Sequence, residues 1–251
     1  MKNILLIGSG NIATHLALNI DKEKYNIVQV FGRSIENTEL LANKINSDWT
    51  IDASKIEKAD ITIIAINDDS IKTILTSLPN NPTVHTSGST NIDVFKGYFE
   101  DYGVLYPLQT FNKDIDLDLR TVPFFIEANN QKFQRDLNEL SNSFSQNTQL
   151  LNSHKRKQLH IAAVFSCNFS NHMFVIAKNL VEKENINYSV LLPLIKQTLS
   201  KMENLNPQDT QTGPAIRNDK LIIQEHINSI KEDNLKEIYS LISQNIIQGN
   251  E

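Results

Sequence analysis

The chain has 251 residues, 40% of them hydrophobic, and a formal net charge of −5, a balance typical of a globular protein and not of a disordered chain. The mildly acidic total argues against general binding to nucleic acid or to anionic membranes, because both require a basic surface. The single cysteine, Cys167, excludes an internal disulfide and a cysteine-rich zinc site. No apolar run approaches the roughly 20 residues that span a bilayer, so we expect a cytoplasmic protein.

Short apolar runs alternate with helix-length segments through the first half of the chain. Strands are predicted at residues 4–7, 26–31, 49–51, 61–66, 83–86, 104–108 and 122–126, and helices at 14–18, 36–45 and 70–78. This alternation predicts βαβ units in an α/β fold, with a doubly wound, mostly parallel sheet. We assign residues 1–128 to a Rossmann-like dinucleotide-binding domain, whose ligands should lie beyond the carboxyl ends of the strands.

The second half has helical periodicity instead. Helices are predicted over residues 131–145, 155–184, 189–204, 219–230 and 235–247, so residues 129–251 form an all-α domain for substrate binding and dimerisation. Apolar residues cover most of the circumference of the 155–184 helix, which predicts that it is buried.

A glycine turn follows the first strand and opens the first helix, with the spacing Gly8-x-Gly10-x-x-Ala13. Gly8 allows a tight turn, Gly10 lets the backbone approach a diphosphate, and Ala13 permits close packing of helix on strand. The free N–H groups of Asn11 and Ile12 then face the phosphates at a helix N-terminus. The alternative is a glycine turn in a doubly wound fold that binds another nucleotide or none.

The end of the second strand indicates which dinucleotide is bound. Arg33 and Ser34 stand where an NAD site has an acidic residue, and a guanidinium beside a hydroxyl suits a 2′-phosphate. NADP is therefore favoured, with the alternative that Arg33 is solvated and Glu36 binds the ribose of NAD. Asn67, after the strand at 61–66, is expected to contact the cofactor or to cap the next helix.

Two turns carry candidate substrate groups. Ser87 and Ser89 follow a strand and offer hydroxyl and N–H groups to a carbonyl or carboxylate, although an ordinary turn explains them equally well. Arg217 lies in the irregular segment 212–219 and can clamp a carboxylate. The alternative for Arg217 is a pair with Asp219, which can also cap the following helix.

The 155–184 helix has a polar stripe on its apolar surface. Lys157 lies about three turns from Asn168, and His160 about three turns from Asn171. Buried polar groups require partners, which could be a substrate, the nicotinamide carboxamide or a hydrogen-bond network between helices. His160 is the candidate general acid, because histidine side chains exchange protons near neutral pH.

The chain resembles a bacterial family of Rossmann-like proteins with a helical C-terminal domain of unknown function. The resemblance lies in segments 8–13, 85–89, 106–111 and 212–219 and in the helix that contains His160 and Asn168. Members are often described as NADP oxidoreductases. More distantly the chain resembles pyrroline-5-carboxylate reductase, deazaflavin-dependent NADP reductases, prephenate dehydrogenase and β-hydroxyacid dehydrogenases. The resemblance implies a dimerising helical domain and an active site between the domains.

Two departures separate the chain from these distant relatives. The β-hydroxyacid enzymes have an asparagine four residues after their catalytic lysine, where this chain has Ile161 after Lys157. Prephenate dehydrogenases have a His-Pro pair where this chain has Tyr106-Pro107. The mechanisms of both families are therefore not carried over.

The sequence leads to one main hypothesis and one rival. The main hypothesis is an NADP(H)-dependent oxidoreductase that acts on a small anionic metabolite at a C–O or C–N carbon. Ser87, His160 and Asn168 are its candidate catalytic residues, and Ser89, Lys157 and Arg217 its candidate substrate-binding residues. The rival is an NADP-binding sensor or interaction protein without turnover. A homodimer through the C-terminal helices is expected in either case, with no metal.

Overall fold

The computed structural model describes residues 1–249, which contain eight strands and nine α-helices. The strands are β1 (Lys2–Ile7), β2 (Tyr25–Phe31), β3 (Asp48–Thr50), β4 (Ile61–Ile64), β5 (Thr83–His85), β6 (Tyr102–Pro107), β7 (Phe124–Ala128) and β8 (Thr148–Leu150). The helices are α1 (Asn11–Asn19), α2 (Ile35–Ile45), α3 (Asp68–Ile74), α4 (Gln131–Asn142), α5 (Ser153–Ala163), α6 (Ser170–Lys183), α7 (Leu192–Asn204), α8 (Lys220–Ser229) and α9 (Asp233–Gln248). A π-helical stretch, Val164–Phe169, joins α5 to α6.

All eight strands form one sheet, in the order β3-β2-β1-β4-β5-β6-β7-β8. Neighbouring strands are parallel except β6 and β7, which are antiparallel. The first six strands have the order of dinucleotide-binding folds, and the order reverses between β1 and β4, where such folds have their binding crevice. The predicted α/β fold with a Rossmann-like N-terminal part is confirmed.

Both faces of the sheet are covered, which explains why its central strands are continuous apolar runs. Along β1, Ile4 and Leu6 point into one core cluster, which also contains Leu16 of α1. Leu5 and Ile7 point into the opposite cluster. Core packing on both faces therefore fixes the edge of the sheet where β1 and β4 end. This edge positions the candidate site.

The chain divides into two compact units, residues 1–172 and the residues from Met173 onward. The sheet, α1 to α5 and the π-helical stretch all belong to the first unit. The second unit contains α7, α8 and α9, and its described part has large apolar side chains that are exposed, such as Leu221 at 84% and Leu241 at 66%. The domain boundary expected at residue 128 stays a prediction. The expectation that residues 129–251 are all-α is wrong, because β8 lies in that range and pairs with β7 in the sheet.

The prediction that the 155–184 helix is buried is wrong for the single chain. Phe165 is 65% exposed, and Ile161 and Phe169 are also exposed. Apolar residues around a helix predict that other surfaces cover it, but they do not identify those surfaces. Much of this helix is not covered by other parts of residues 1–249. The helical run Ser153–Lys183 is long and apolar enough to cross a membrane by length and composition alone, a test that helices of soluble proteins can also pass.

Candidate active site

A cleft of about 1130 Å³ lies beyond the carboxyl ends of the strands in the first unit. Five short segments line it: the glycine turn, the end of β2 with the start of α2, the end of β4 with α3, the residues after β6, and part of α5 with the π-helical stretch. The lining residues include Gly8, Gly10, Asn11, Ile12, Arg33, Ser34, Asn37, Asn67, Tyr106, Leu108, Gln109, Thr110, Phe111, His160, Cys167 and Asn168.

The glycine turn is shaped for a phosphate group. Gly8 has a φ of 126°, and a Cβ there would lie 2.2 Å from the carbonyl oxygen of Ala65. Gly10 precedes α1, whose N-terminus has no side-chain cap, and nothing lies within 4 Å of the position a Cβ would take there. Uncapped N–H groups beside open space fit a diphosphate. Ala13 is fully buried in the core between α1 and the sheet, as its packing role requires.

Arg33 and Ser34 lie together at the edge of the cleft. The hydroxyl oxygen of Ser34 accepts hydrogen bonds from the backbone N–H of Asn37 at 3.3 Å and from its side-chain amide at 3.2 Å. Arg33 is exposed and forms no ion pair within residues 1–249. Glu36, the alternative ribose partner, is exposed and does not line the cleft. Asn67 lines the cleft, and its side chain makes no capping bond to α3.

Tyr106 and His160 form a pair in the cleft that sequence reasoning did not anticipate. The tyrosine hydroxyl lies 3.0 Å from Nδ1 of His160, and the two rings meet edge to face. Burial raises the pKa of Tyr106 to about 12, so its hydroxyl keeps a proton at neutral pH. The hydroxyl can therefore donate to Nδ1, which leaves Nε2 as the ring nitrogen that carries a proton and can pass it on.

The turn after β5 packs closely against Tyr106 and His160. A Cβ at Gly88 would lie 2.6 Å from Nδ1 of His160 and 2.9 Å from Cζ of Tyr106, so only glycine fits there. The hydroxyl of Ser87 donates to the Asp68 carboxylate at 2.7 Å and accepts from the N–H of Ser89 at 3.1 Å. Ser87 is buried behind the cleft and does not line it.

The remaining predicted residues are distributed unevenly. His160 and Asn168 both line the cleft, on α5 and the π-helical stretch. Ser89 and Lys157 are exposed and do not line it, and Arg217 belongs to the second compact unit. The structure thus brings the expected cofactor residues together with His160 and Asn168.

A buried ion pair attaches α5 to the sheet. Arg156 is fully buried and donates to the Glu127 carboxylate of β7 at 2.5 Å, to the carbonyl of Thr90 at 2.5 Å and to the hydroxyl of Ser153 at 3.1 Å. Arg156 lies one turn before His160 on the same helix. No local pattern marks an arginine for burial, so sequence reasoning could not find this positioning role.

His85 is a second buried ionisable group near this ion pair. Burial, together with the charge of Arg156, lowers its pKa to about 3. Its Nδ1 accepts the backbone N–H of Ser87 at 3.1 Å, which places the proton of the neutral ring on Nε2. His85 is therefore a neutral structural group that shapes the turn behind Tyr106 and His160.

Comparisons with known proteins agree with this geometry. Residues 3–94 match a family model described as NADP oxidoreductase, coenzyme F420-dependent, and residues 122–246 match one described as a domain of unknown function, DUF2520. A crystal structure described as a putative NADP oxidoreductase from Bacteroides fragilis is 37% identical over 98% of each chain, with a TM-score of 0.91. The chain belongs to this DUF2520 family of NADP oxidoreductase-like proteins. The resemblance seen in the sequence is confirmed.

More distant structures share the fold of this DUF2520 family member. The 1-pyrroline-5-carboxylate reductase of Streptococcus pyogenes is 15% identical, over 99% of this chain and 98% of that chain, with a TM-score of 0.65. The pyrroline carboxylate reductase of Plasmodium falciparum, solved with NADP bound, is 16% identical over 98% of each chain, with a TM-score of 0.54. The search of curated proteins found no match.

Proposed function

We propose that this chain is an NADP(H)-dependent oxidoreductase that transfers hydride to or from a C–O or C–N carbon of a small anionic metabolite. One observation carries the proposal: a single cleft contains an uncapped glycine turn, the Tyr106–His160 pair and Arg33, which follows β2 and forms no ion pair with any residue from 1 to 249. The cleft therefore combines dinucleotide binding with proton transfer, the two requirements of reduction by a nicotinamide.

The choice of NADP over NAD rests on Arg33 and Ser34. The Arg33 guanidinium has no carboxylate partner in the described part of the chain. A guanidinium and a hydroxyl at the same edge of the cleft suit a doubly charged 2′-phosphate. Asn67 would contact the cofactor from the end of β4.

Replacing Arg33 with alanine should weaken NADPH binding about 10- to 100-fold, because a charge-assisted hydrogen bond contributes about 1.5–3 kcal/mol. NADH binding should change less than about twofold, since NADH has no 2′-phosphate. Titration calorimetry with both coenzymes measures the difference. Lys44→Ala, which removes an exposed cation from α2 that does not line the cleft, is the matched control. Equal losses for NADPH and NADH would contradict the 2′-phosphate role.

Side chains of the protein carry out the proton transfer of the reaction. The hydride would come from the reduced nicotinamide of a coenzyme held by the glycine turn and Arg33. His160 donates a proton to the substrate oxygen or nitrogen as that atom gains electron density, and Tyr106 holds Nδ1 of the ring. The Asn168 amide orients the polar group of the substrate. Ser87 is a positioning residue, since its hydroxyl oxygen accepts the N–H of Ser89 and so holds the turn at Gly88, where a Cβ would collide with both members of the pair.

The negative charge proposed for the substrate requires a cationic partner. Lys157 and Arg217 are the proposed partners, together with Ser89 as a hydrogen-bond donor. Neither Lys157 nor Ser89 lines the cleft of the first unit. A substrate panel must therefore pair each keto acid or cyclic imino acid with its neutral ester or amide.

Turnover tests the proposed reaction directly. Stopped-flow mixing of the protein and NADPH with the substrate panel should reveal loss of the reduced-nicotinamide absorbance for one substrate class. His160→Ala should slow that loss about 10²- to 10⁴-fold, the usual contribution of a general acid, with NADPH affinity unchanged. His154→Ala, an exposed histidine on the same helix that does not line the cleft, is the control. Tight NADPH binding without absorbance loss across the panel would favour a sensor.

We also propose that the protein is a cytoplasmic homodimer through its C-terminal helices, with neither membrane nor nucleic acid as a partner. The exposed apolar side chains of Phe165, Phe169, Leu194, Leu221 and Leu241 support this proposal, because a partner that covered them would remove apolar surface from water. A molar mass of two chains by light scattering at micromolar concentration is expected, and the mass of one chain would contradict it.

A further inference from the structure

We propose that Lys113 is a second cation for the coenzyme's 2′-phosphate, and that it determines selectivity for NADP together with Arg33. This inference rests on the proposed function and goes beyond it, because it assigns a role to the loop between β6 and β7.

Two hydrogen bonds place Lys113 beside the cleft. Its backbone N–H donates to Oδ1 of Asn11 at 3.2 Å, and its ammonium donates to Oδ1 of Asn37 at 2.9 Å. Asn11 begins α1 and Asn37 lies in the first turn of α2, and both line the cleft. One residue thus bridges the diphosphate turn and the ribose edge.

The loop that carries Lys113 is held against α1 by further contacts. Nε2 of the buried His15 forms a hydrogen bond with the carbonyl of Asn112 at 2.9 Å, and its ring lies 5.4 Å from the ring of Phe111. Phe111 and Thr110 also line the cleft. The segment just before Lys113 is therefore part of the cleft wall, and Lys113, which is not itself a lining residue, lies beside it.

The ammonium is connected through Asn37 to Ser34, one of the two residues already assigned to the 2′-phosphate. Asn37, which accepts from Lys113, also donates to the hydroxyl oxygen of Ser34 through its backbone and its side chain. Lys113 is exposed, and in the described part of the chain its ammonium forms no ion pair. An ammonium that is bonded only to a neutral amide gains a stronger, charge-assisted bond when a phosphate oxygen arrives.

The same contacts would also arise if Lys113 only fastened the loop, and the two roles have different consequences. A phosphate contact affects only ligands with a 2′-phosphate. A fastening role affects every ligand that uses the cleft. Two pairs of ligands separate the two roles: NADPH with NADH, and 2′,5′-ADP with 5′-AMP. The two members of each pair differ only in the 2′-phosphate.

The experiment compares Lys113→Met, which keeps the length of the side chain and removes its charge, with Lys113→Arg and with Lys44→Met as the control. For Lys113→Met, dissociation constants of NADPH and 2′,5′-ADP should rise about 10-fold, roughly the effect of one charged hydrogen bond. Those of NADH and 5′-AMP should stay within about twofold, and Lys113→Arg should restore NADPH affinity.

Three outcomes would overturn the inference. If NADPH affinity is unchanged in Lys113→Met but lower in Arg33→Ala, the role assigned to Lys113 is wrong and the proposed function is unaffected. Equal losses for NADPH and NADH in Lys113→Met would establish a fastening role instead. A wild-type protein that binds neither coenzyme would overturn this inference and the proposed function together.

Discussion

Replacing Gly10 with valine is expected to abolish dinucleotide binding, with dissociation constants for NADPH and NADH raised at least about 100-fold, or about 3 kcal/mol. No atom lies within 4 Å of the position that a Cβ would take at Gly10. The valine side chain would fill space that a diphosphate requires for close approach to the N-terminus of α1. Titration calorimetry measures the loss for both coenzymes.

The backbone at Gly10 makes this a test of binding and not of folding. Gly10 has a φ of −88° and a ψ of −168°, an extended conformation that any residue adopts. The melting temperature of the variant should therefore equal that of the wild type. At Gly8, by contrast, a side chain would collide with the carbonyl of Ala65 and destabilise the fold. Unchanged coenzyme affinity in Gly10→Val would remove the diphosphate argument.

Glu127→Ala should lower the free energy of unfolding by about 3 to 5 kcal/mol, the usual cost of removing one partner from a buried ion pair. Arg156 is fully buried, so its charge would lose its carboxylate partner without gaining water. Denaturant titration followed by circular dichroism measures the loss. Because Arg156 lies one turn before His160, the remaining folded protein should also turn over more slowly.

An exposed ion pair provides the matched control for Glu127→Ala. Asp118 and Arg120 form a 2.6 Å pair whose side chains are 51% and 79% exposed, and exposed pairs contribute about 0 to 1 kcal/mol. Asp118 also accepts the backbone N–H of Arg120 at 3.0 Å, so the control variant is Arg120→Ala, which removes the ion pair, keeps that bond and should leave stability nearly unchanged. Replacing both buried partners with apolar residues, as in Arg156→Met with Glu127→Leu, should recover much of the lost stability. A loss in Glu127→Ala no larger than in Arg120→Ala would refute the anchoring role.

Much of the fold could be predicted because its signals are local. The apolar runs at residues 4–7 and 61–66 became β1 and β4, and Gly8 and Gly10 were found between a strand and a helix, as a dinucleotide turn requires. The antiparallel pairing of β6 with β7 could not be predicted. Neither could the addition of β8, since strand order depends on contacts between segments that are far apart in the chain.

The sequence by itself determined the alternation of strands and helices, the phosphate-binding turn and the cation at the end of β2, because periodicity, glycine geometry and charge are expressed within a few neighbouring residues. Only the tertiary structure decided that Tyr106 meets His160, 54 residues away, and that Lys113 reaches Asn37, 76 residues away. The burial of Arg156 and the exposure of Phe165 were decided there as well. Such contacts depend on how packed elements meet, and no pattern within one element records which side chain of another will face it.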